Sequence, residues 1–295
     1  MKLPAGFQIT AEARLGHGSE SEVYAIDERH VLRLYFGDYG GNPSYLAQRQ
    51  AFYDWLQHMD LPFETPHILE VGQRDGRYYS IERRMKGRDF GPVLPTLQGE
   101  ARARALASYL DVAAQIGAVQ LPDRPYGEIM AEDVLIQGET WGDYLRARMA
   151  HWLAVSRSDL EADVPNLPAV LDAIYSRLEQ VAGWPEKRLV HGDYFPANVF
   201  IDDDLTICGV GDFGYSTVVG DPRMDLAGAV IFLDVMADYR PEDTAFLLGY
   251  LARRWGDEYL GIVEVYRQYY SVFFSHCKHD DPVTYWWCVK NLLAV

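Results

Sequence analysis

Three oxygen-bearing side chains stand close together in the segment from 191 to 214. They occur in His191-Gly192-Asp193-Tyr194-Phe195-Pro196-Ala197-Asn198 and in Gly211-Asp212-Phe213-Gly214. Phosphoryl transfer from a nucleotide needs a carboxylate to take the hydroxyl proton, oxygen ligands for magnesium and cations on the phosphates. Asp193 and Asn198 sit at the two ends of one loop. The apolar runs Val199-Phe200-Ile201 and Leu205-Thr206-Ile207-Cys208, with Asp202-Asp203-Asp204 as the turn, predict a hairpin that returns Asp212 beside them. Asn198 and Asp212 then supply hard oxygen donors, and Asp193 is left free as the base. With average residue usage, the pattern H-G-D-x4-N arises by chance roughly once in a thousand chains of this length. The set therefore outweighs the blander reading of each member as a loop cap, a turn residue and a strand-end acid.

The segments that must position this hairpin fall into two groups. Before residue 88 the chain predicts strands at Phe7–Leu15, Glu22–Ile26 and His30–Phe36, then a helix over Ser44–Met59. A hairpin of Ile68–Gln73 and Arg77–Arg83 around Asp75-Gly76 follows. After a break rich in glycine and proline, Glu100–Gln120, Thr140–Val155 and Leu167–Val181 predict amphipathic helices, as do segments after Arg240. This is an α+β chain with a small antiparallel β lobe at 1–88, ending in a hinge, and a mainly helical lobe at 89–295. Such a layout places a ligand in the cleft between lobes.

On these motifs the chain resembles the aminoglycoside phosphotransferase and choline-kinase-like small-molecule kinases, which share the bilobal protein-kinase fold. The resemblance covers nearly the whole chain and is strongest at 190–227. It implies Asp193 as catalytic base, Asn198 and Asp212 as magnesium ligands, and ATP as phosphoryl donor, with GTP also open. It also implies that Asp225 is a buried carboxylate bracing the loop through backbone amides near His191. On sequence alone an acid at a helix N-terminus is an equal reading of Asp225. Gly192 stands where protein kinases carry an arginine, and few residues separate Gly214 from Asp221. Both point to a small-molecule acceptor without a phosphorylation switch.

The nucleotide side departs from the family pattern. Leu15-Gly16-His17-Gly18-Ser19-Glu20 turns between two predicted strands and could lay amides over phosphates. The resemblance puts Ser19 at its tip, near the β-phosphate. In Val31-Leu32-Arg33-Leu34-Tyr35, Arg33 takes the place of the family lysine, as in the hygromycin kinase branch. The next helix offers Gln48, Arg49 and Gln50 where a glutamate is expected. Arginine keeps the charge and gains a fork for phosphate, but something other than that glutamate must orient it. The hinge falls at 81–87, with the Arg83 carbonyl and Met85 amide implied to meet the purine edge.

Net charge is −16, with −2 in residues 1–90 and −14 in residues 91–295. Nucleic acid is disfavoured as a partner, because the phosphate backbone demands a basic footprint. An acidic half suits a cationic acceptor, with Asp159, Glu161, Asp163, Asp234 and Asp238 as pairing candidates. The first three lie beyond the predicted helix end, and each alone reads as a solvated surface acid. The acceptor expected is an aminoglycoside-type antibiotic, with a macrolide, a small alcohol or sugar, or a nucleotide-binding scaffold as alternatives. Three cysteines, no leader-like segment and no run of membrane-spanning length lead to the expectation of a cytoplasmic protein without membrane or protein partner. His276, Cys277, His279 and Cys288 lack a compact four-ligand spacing, and packing is the preferred reading over a metal site.

Overall fold

The computed structural model describes residues 10–18, 20–36 and 42–295. Five antiparallel strands open the chain: β1 (Arg14–His17), β2 (Ser21–Ala25), β3 (His30–Tyr35), β4 (Ile68–Arg74) and β5 (Arg77–Arg83). Their order in the sheet is β1-β2-β3-β5-β4. Asp75 and Gly76 both take positive φ, 51° and 80°, as a two-residue turn between twisted strands requires. Helix α1 (Pro43–Leu56) lies between β3 and β4 in the chain, with Asn42 capping Ser44 N–H and Pro43 in the first turn. The strand expected at Phe7–Leu15 is corrected in part. Ala11–Ala13 form a single 3-10 turn and the strand starts only at Arg14, since Ala-Glu-Ala has poor strand propensity; Phe7–Ile9 lie outside the described residues.

Beyond β5 the chain is mainly helical. The short strand β6 (Arg88–Asp89) leads through a helical turn, α2 (Phe90–Val93), into α3 (Gly99–Ile116). Two small strands follow, β7 (Tyr126–Glu128) and β8 (Gln137–Gly138), then α4 (Trp141–Asp163) and α5 (Leu167–Ala182). Next come β9 (Arg188–Val190), β10 (Val199–Ile201), β11 (Ile207–Val210) and β12 (Val218–Gly220). Helices α6 (Arg223–Ile231), α7 (Pro241–Trp255), α8 (Glu258–Phe273) and α9 (Pro282–Leu292) complete the chain. The hairpin β10–β11 extends onto β6, while β12 pairs with both β9 and β7, and β7 with β8, in a second small sheet. The segment from 191 to 214 is therefore strung between two sheets.

Helix α4 outruns its expected end at Val155 by eight residues. A Thr140–Asp143 capping box starts it, Arg157 and Glu161 pair one turn apart, and only Pro165 lies beyond to stop it. Asp159, Glu161 and Asp163 thus belong to the last two turns of a helix, not to an insert between helices. The apolar stretch from Leu226 forms α6, which is buried from Met224 to Ile231 and packs on α3 and α8. Among the described residues no helix is long and apolar enough to cross a membrane.

Candidate active site

Strand β9 runs directly into His191 and Gly192, both buried. Gly192 has φ 78°, and a Cβ there would run into the carbonyl oxygen of Ser216. No larger residue fits, which explains the missing arginine in terms of backbone packing. Asp225, fully buried near the start of α6, accepts the amides of His191 (2.7 Å to Oδ2) and Gly192 (2.9 Å to Oδ1). Burial pushes its carboxyl up to about 7, against the pull of those two amides. Tyr270 of α8 donates to the Gly192 carbonyl at 2.9 Å. Tyr109 and Tyr194 stack with centroids 4.8 Å apart, and each hydroxyl bonds the other's carbonyl.

His191 joins the two halves of the motif. Its Nε2 bonds the Gly211 carbonyl at 2.8 Å, and its Nδ1 accepts the Asp193 amide at 3.2 Å. That pair of bonds fixes one neutral tautomer, and burial lowers the ring to about 4. Asn198 donates its amide to the Asp193 carbonyl at 2.9 Å and to Asp193 Oδ2 at 3.4 Å. The Asn198 carbonyl accepts the Gly211 amide at 2.8 Å, so the β10–β11 hairpin brings Asp212 back to the loop. Burial first and the charge of Asp212 second push the Asp193 carboxyl up to about 7. Asp212 takes a left-handed backbone, φ 59°, with its side chain 46% exposed. Burial would push its carboxyl up, but Arg49 and Arg33 outweigh that and hold it below the ordinary value.

The opposite wall comes from the N-terminal sheet. Arg33 Nε bonds Glu82 Oε1 at 3.1 Å, Arg33 Nη1 bonds Ser21 Oγ at 3.1 Å, and Nη1 lies 4.0 Å from Asp212 Oδ1. Ser80 holds Glu82 Oε1 at 2.6 Å. The carboxylate that orients Arg33 thus comes from the neighbouring strand β5. Sequence reasoning missed it by looking along α1. Strand alternation could have found it, since Arg33 faces Ser80 in register and Glu82 follows two residues on, on the same face. The position on α1 where a glutamate was sought holds Arg49, whose Nη2 lies 2.6 Å from Asp212 Oδ1. Sequence reasoning named Arg49 without giving it a role. At the end of β5 the Arg84 amide bonds the Arg29 carbonyl and the Lys86 amide bonds Glu64. The Met85 amide between them has no partner among the described residues, and Met85 packs beside Gly211. Arg83 is exposed next to it. Ser19 lies outside the described residues.

Asp193, Asn198, Asp212 and Arg33 are thus brought to one place, braced by His191 and Asp225. The five acids singled out for an acceptor are not brought together. Lys278 bonds both Asp159 (3.0 Å) and Asp163 (2.8 Å), and Tyr285 donates to Asp163. Glu161 pairs with Arg157, and Asp234 pairs with Arg267 at 2.7 Å. Asp238 is exposed without an ion-pair partner among the described residues. His276 stacks on Trp152 at 3.9 Å and bonds the Phe273 carbonyl. Also unforeseen is a buried ion pair of Arg148 with Glu128, in which the Arg148 guanidinium lies over the rings of Trp152, Tyr215 and Phe273.

A family model described as the phosphotransferase enzyme family (APH) matches residues 12–268. The chain belongs to that family. No curated protein matches it significantly. Solved structures share its fold. One is a thermostable mutant of aminoglycoside phosphotransferase APH(4)-Ia in its apo form. It is 22% identical, with 95% of this chain and 92% of that one covered and a TM-score of 0.62. Another is the streptomycin–ATP–APH(2")-IIa ternary complex, 16% identical, with coverage of 96% and 90% and a TM-score of 0.62. A third is the GDP and kanamycin complex of an APH(2") enzyme, 16% identical, with coverage of 95% and 90% and a TM-score of 0.60. This phosphotransferase is an enzyme acting on a small molecule, with the mixed α+β, protein-kinase-like fold of those relatives.

The donor set suits magnesium. Asp212 Oδ2 and Asn198 Oδ1 carry no hydrogen bond among the described residues, because Arg49 takes Oδ1 of the acid and Asp193 takes only the amide nitrogen of the asparagine. Magnesium is usually held by one or two carboxylates with phosphate and water, and kinases add an asparagine oxygen, so one carboxylate and one amide oxygen fit it. Among the described residues no cluster of three or more His, Cys, Asp or Glu forms a metal cage, and magnesium at a phosphate does not call for one.

Proposed function

We propose that this phosphotransferase is an ATP- and magnesium-dependent kinase that phosphorylates a hydroxyl of a small cationic molecule, an aminoglycoside-type antibiotic in the first reading. Residues 1–88 bind the nucleotide, and residues 89–295 carry the catalytic loop and the acceptor site. The observation that supports the reading best is the convergence of Asp193, Asn198, Asp212 and Arg33, with Asp193 held by a fully buried histidine.

Asp193 orients the acceptor hydroxyl and takes its proton. Its half-buried carboxyl meets the Asn198 amide at 3.4 Å and its backbone amide is held by the His191 ring, which suits a base that must stay fixed while the acceptor changes. Arg33, locked by Glu82 and Ser21, presents its remaining donors toward the phosphates and offsets their charge. Asn198 and Asp212 would hold magnesium, which supplies charge neutralisation between the phosphates when bound. The Arg83 carbonyl and the Met85 amide take the purine edge. GTP remains open as a donor, because backbone contacts separate the two purines by geometry alone.

Two observations bear on the acceptor. Streptomycin and kanamycin occur in the structures of similar proteins, and the net −14 of residues 91–295 suits a polycation. Against this, Asp159, Glu161, Asp163 and Asp234 already have cationic partners, which a polycation would have to displace. That supports a second reading, a macrolide or a small alcohol, sugar or amino alcohol. A coupled ATP-consumption screen over aminoglycosides, macrolides, choline and small sugars decides between them. Turnover of an aminoglycoside alone supports the first reading, turnover of a neutral alcohol the second, and consumption with none of them would count against both.

A further inference from the structure

Arg49 is buried, 2% exposed, yet poorly paired. Its Nη2 bonds Asp212 Oδ1, while Nε and Nη1 have no hydrogen-bond partner among the described residues. Nη1 lies 3.5 Å from Glu20 Oε2, an ion pair without a hydrogen bond. The guanidinium sits over the ring of Tyr53 at 5.9 Å. Taking a guanidinium out of water with most of its donors unused is costly unless its charge is needed nearby. Asp212, with its side chain 46% exposed, and Glu20 lie on either side of Arg49. An ionised acid beside a polyphosphate repels it strongly in low dielectric. Arg49 cancels one of those charges from the dry side of Asp212 and leaves Oδ2 open on the wet side.

We propose that Arg49 is a resident counter-ion of Asp212 that lets a nucleoside diphosphate or triphosphate enter the cleft before a divalent cation. The inference rests on the nucleotide reading above. Arg49 is a positioning residue, since it acts through Asp212 and has no need to touch the nucleotide. An arginine that merely filled space on α1 would affect folding and leave the metal dependence of binding untouched.

Calorimetric titration of the full chain with ADP, repeated with GDP, in chelator and in magnesium tests this. For the parent, Kd in chelator is expected within about tenfold of Kd in magnesium. Arg49→Met should weaken binding in chelator on the order of tenfold, the scale of one charged hydrogen bond, with less change in magnesium. Arg49→Lys keeps the charge and should stay close to the parent ratio. A parent that binds only with magnesium, or an Arg49→Met chain with the parent's ratio, overturns the inference and leaves the nucleotide reading standing. Binding of neither ADP nor GDP in either buffer overturns the nucleotide reading, and this inference with it. The parent comparison decides whatever the stability of the variants.

Discussion

Arg33 and Arg49 approach the same oxygen of Asp212 from different elements, and each is held by a different acid. Arg33 is fixed through Glu82, itself fixed by Ser80, whose hydroxyl also meets Tyr35 at 3.1 Å. The chain thus keeps a cation beside an acid without a glutamate on α1, by taking the acid from the strand next door. Glu82→Gln should therefore release Arg33 and weaken ADP binding by roughly tenfold, the worth of a charge-assisted bond, while thermal stability moves little. Calorimetry on the variant checks this, and an unchanged Kd would mean that Ser21 alone holds the arginine. Arg33 was singled out in the sequence because the resemblance puts a lysine at that place in strand β3. Glu82 was not, because cross-strand register is a long-range property that no local pattern writes down.

At the scale of elements, the loop after β9 depends on α6 and α8 more than on its own sequence. Asp225 satisfies two buried amides, and Tyr270 satisfies the Gly192 carbonyl. Asp225→Ala leaves two buried donors unpaired and should cost on the order of 2–5 kcal/mol of stability, read as a lower denaturation midpoint. Gly192→Ala should be worse placed still, with φ in the left-handed region and its Cβ against the Ser216 carbonyl. A variant at either position with parental stability would show that the loop is held by something else. The β10–β11 hairpin could be read from Asp202-Asp203-Asp204 and its flanking apolar runs. Strands β7, β8 and β12 could not, since each has only two or three residues and pairs across the chain. The end of α4 was placed too early because Ser156, Arg157 and Ser158 interrupt its apolar face, while the turn that follows is held by Arg157–Glu161 and by Lys278 from outside.

For the whole molecule, charge sorts into a nearly neutral sheet region and an acidic helical remainder, as composition alone established. Composition could not say which acids are free. Lys278 from beyond α8 neutralises two acids at the end of α4, and Arg267 of α8 neutralises Asp234. These pairings join residues more than thirty positions apart and become visible only once helices are packed. If the acceptor is a polycation drawn by the long-range field, its KM should rise steeply between low and physiological salt while the nucleotide KM moves less. Steady-state kinetics at several ionic strengths would read this. A salt-independent acceptor KM would remove the aminoglycoside reading and leave the kinase reading intact.

Asp193 is the proposed base that takes the acceptor hydroxyl's proton as the phosphoryl group passes to that oxygen. The most direct measurement compares turnover and nucleotide affinity of Asp193→Asn with those of the parent, using whichever acceptor the ATP-consumption screen yields. The amide keeps the shape of the loop and cannot take a proton, so turnover should fall about a hundredfold or more, the usual scale for losing a general base. Nucleotide Kd should stay within a few-fold, because Arg33, Asp212 and the segment around Met85 are untouched. Turnover close to that of the parent, with binding intact, would contradict the account.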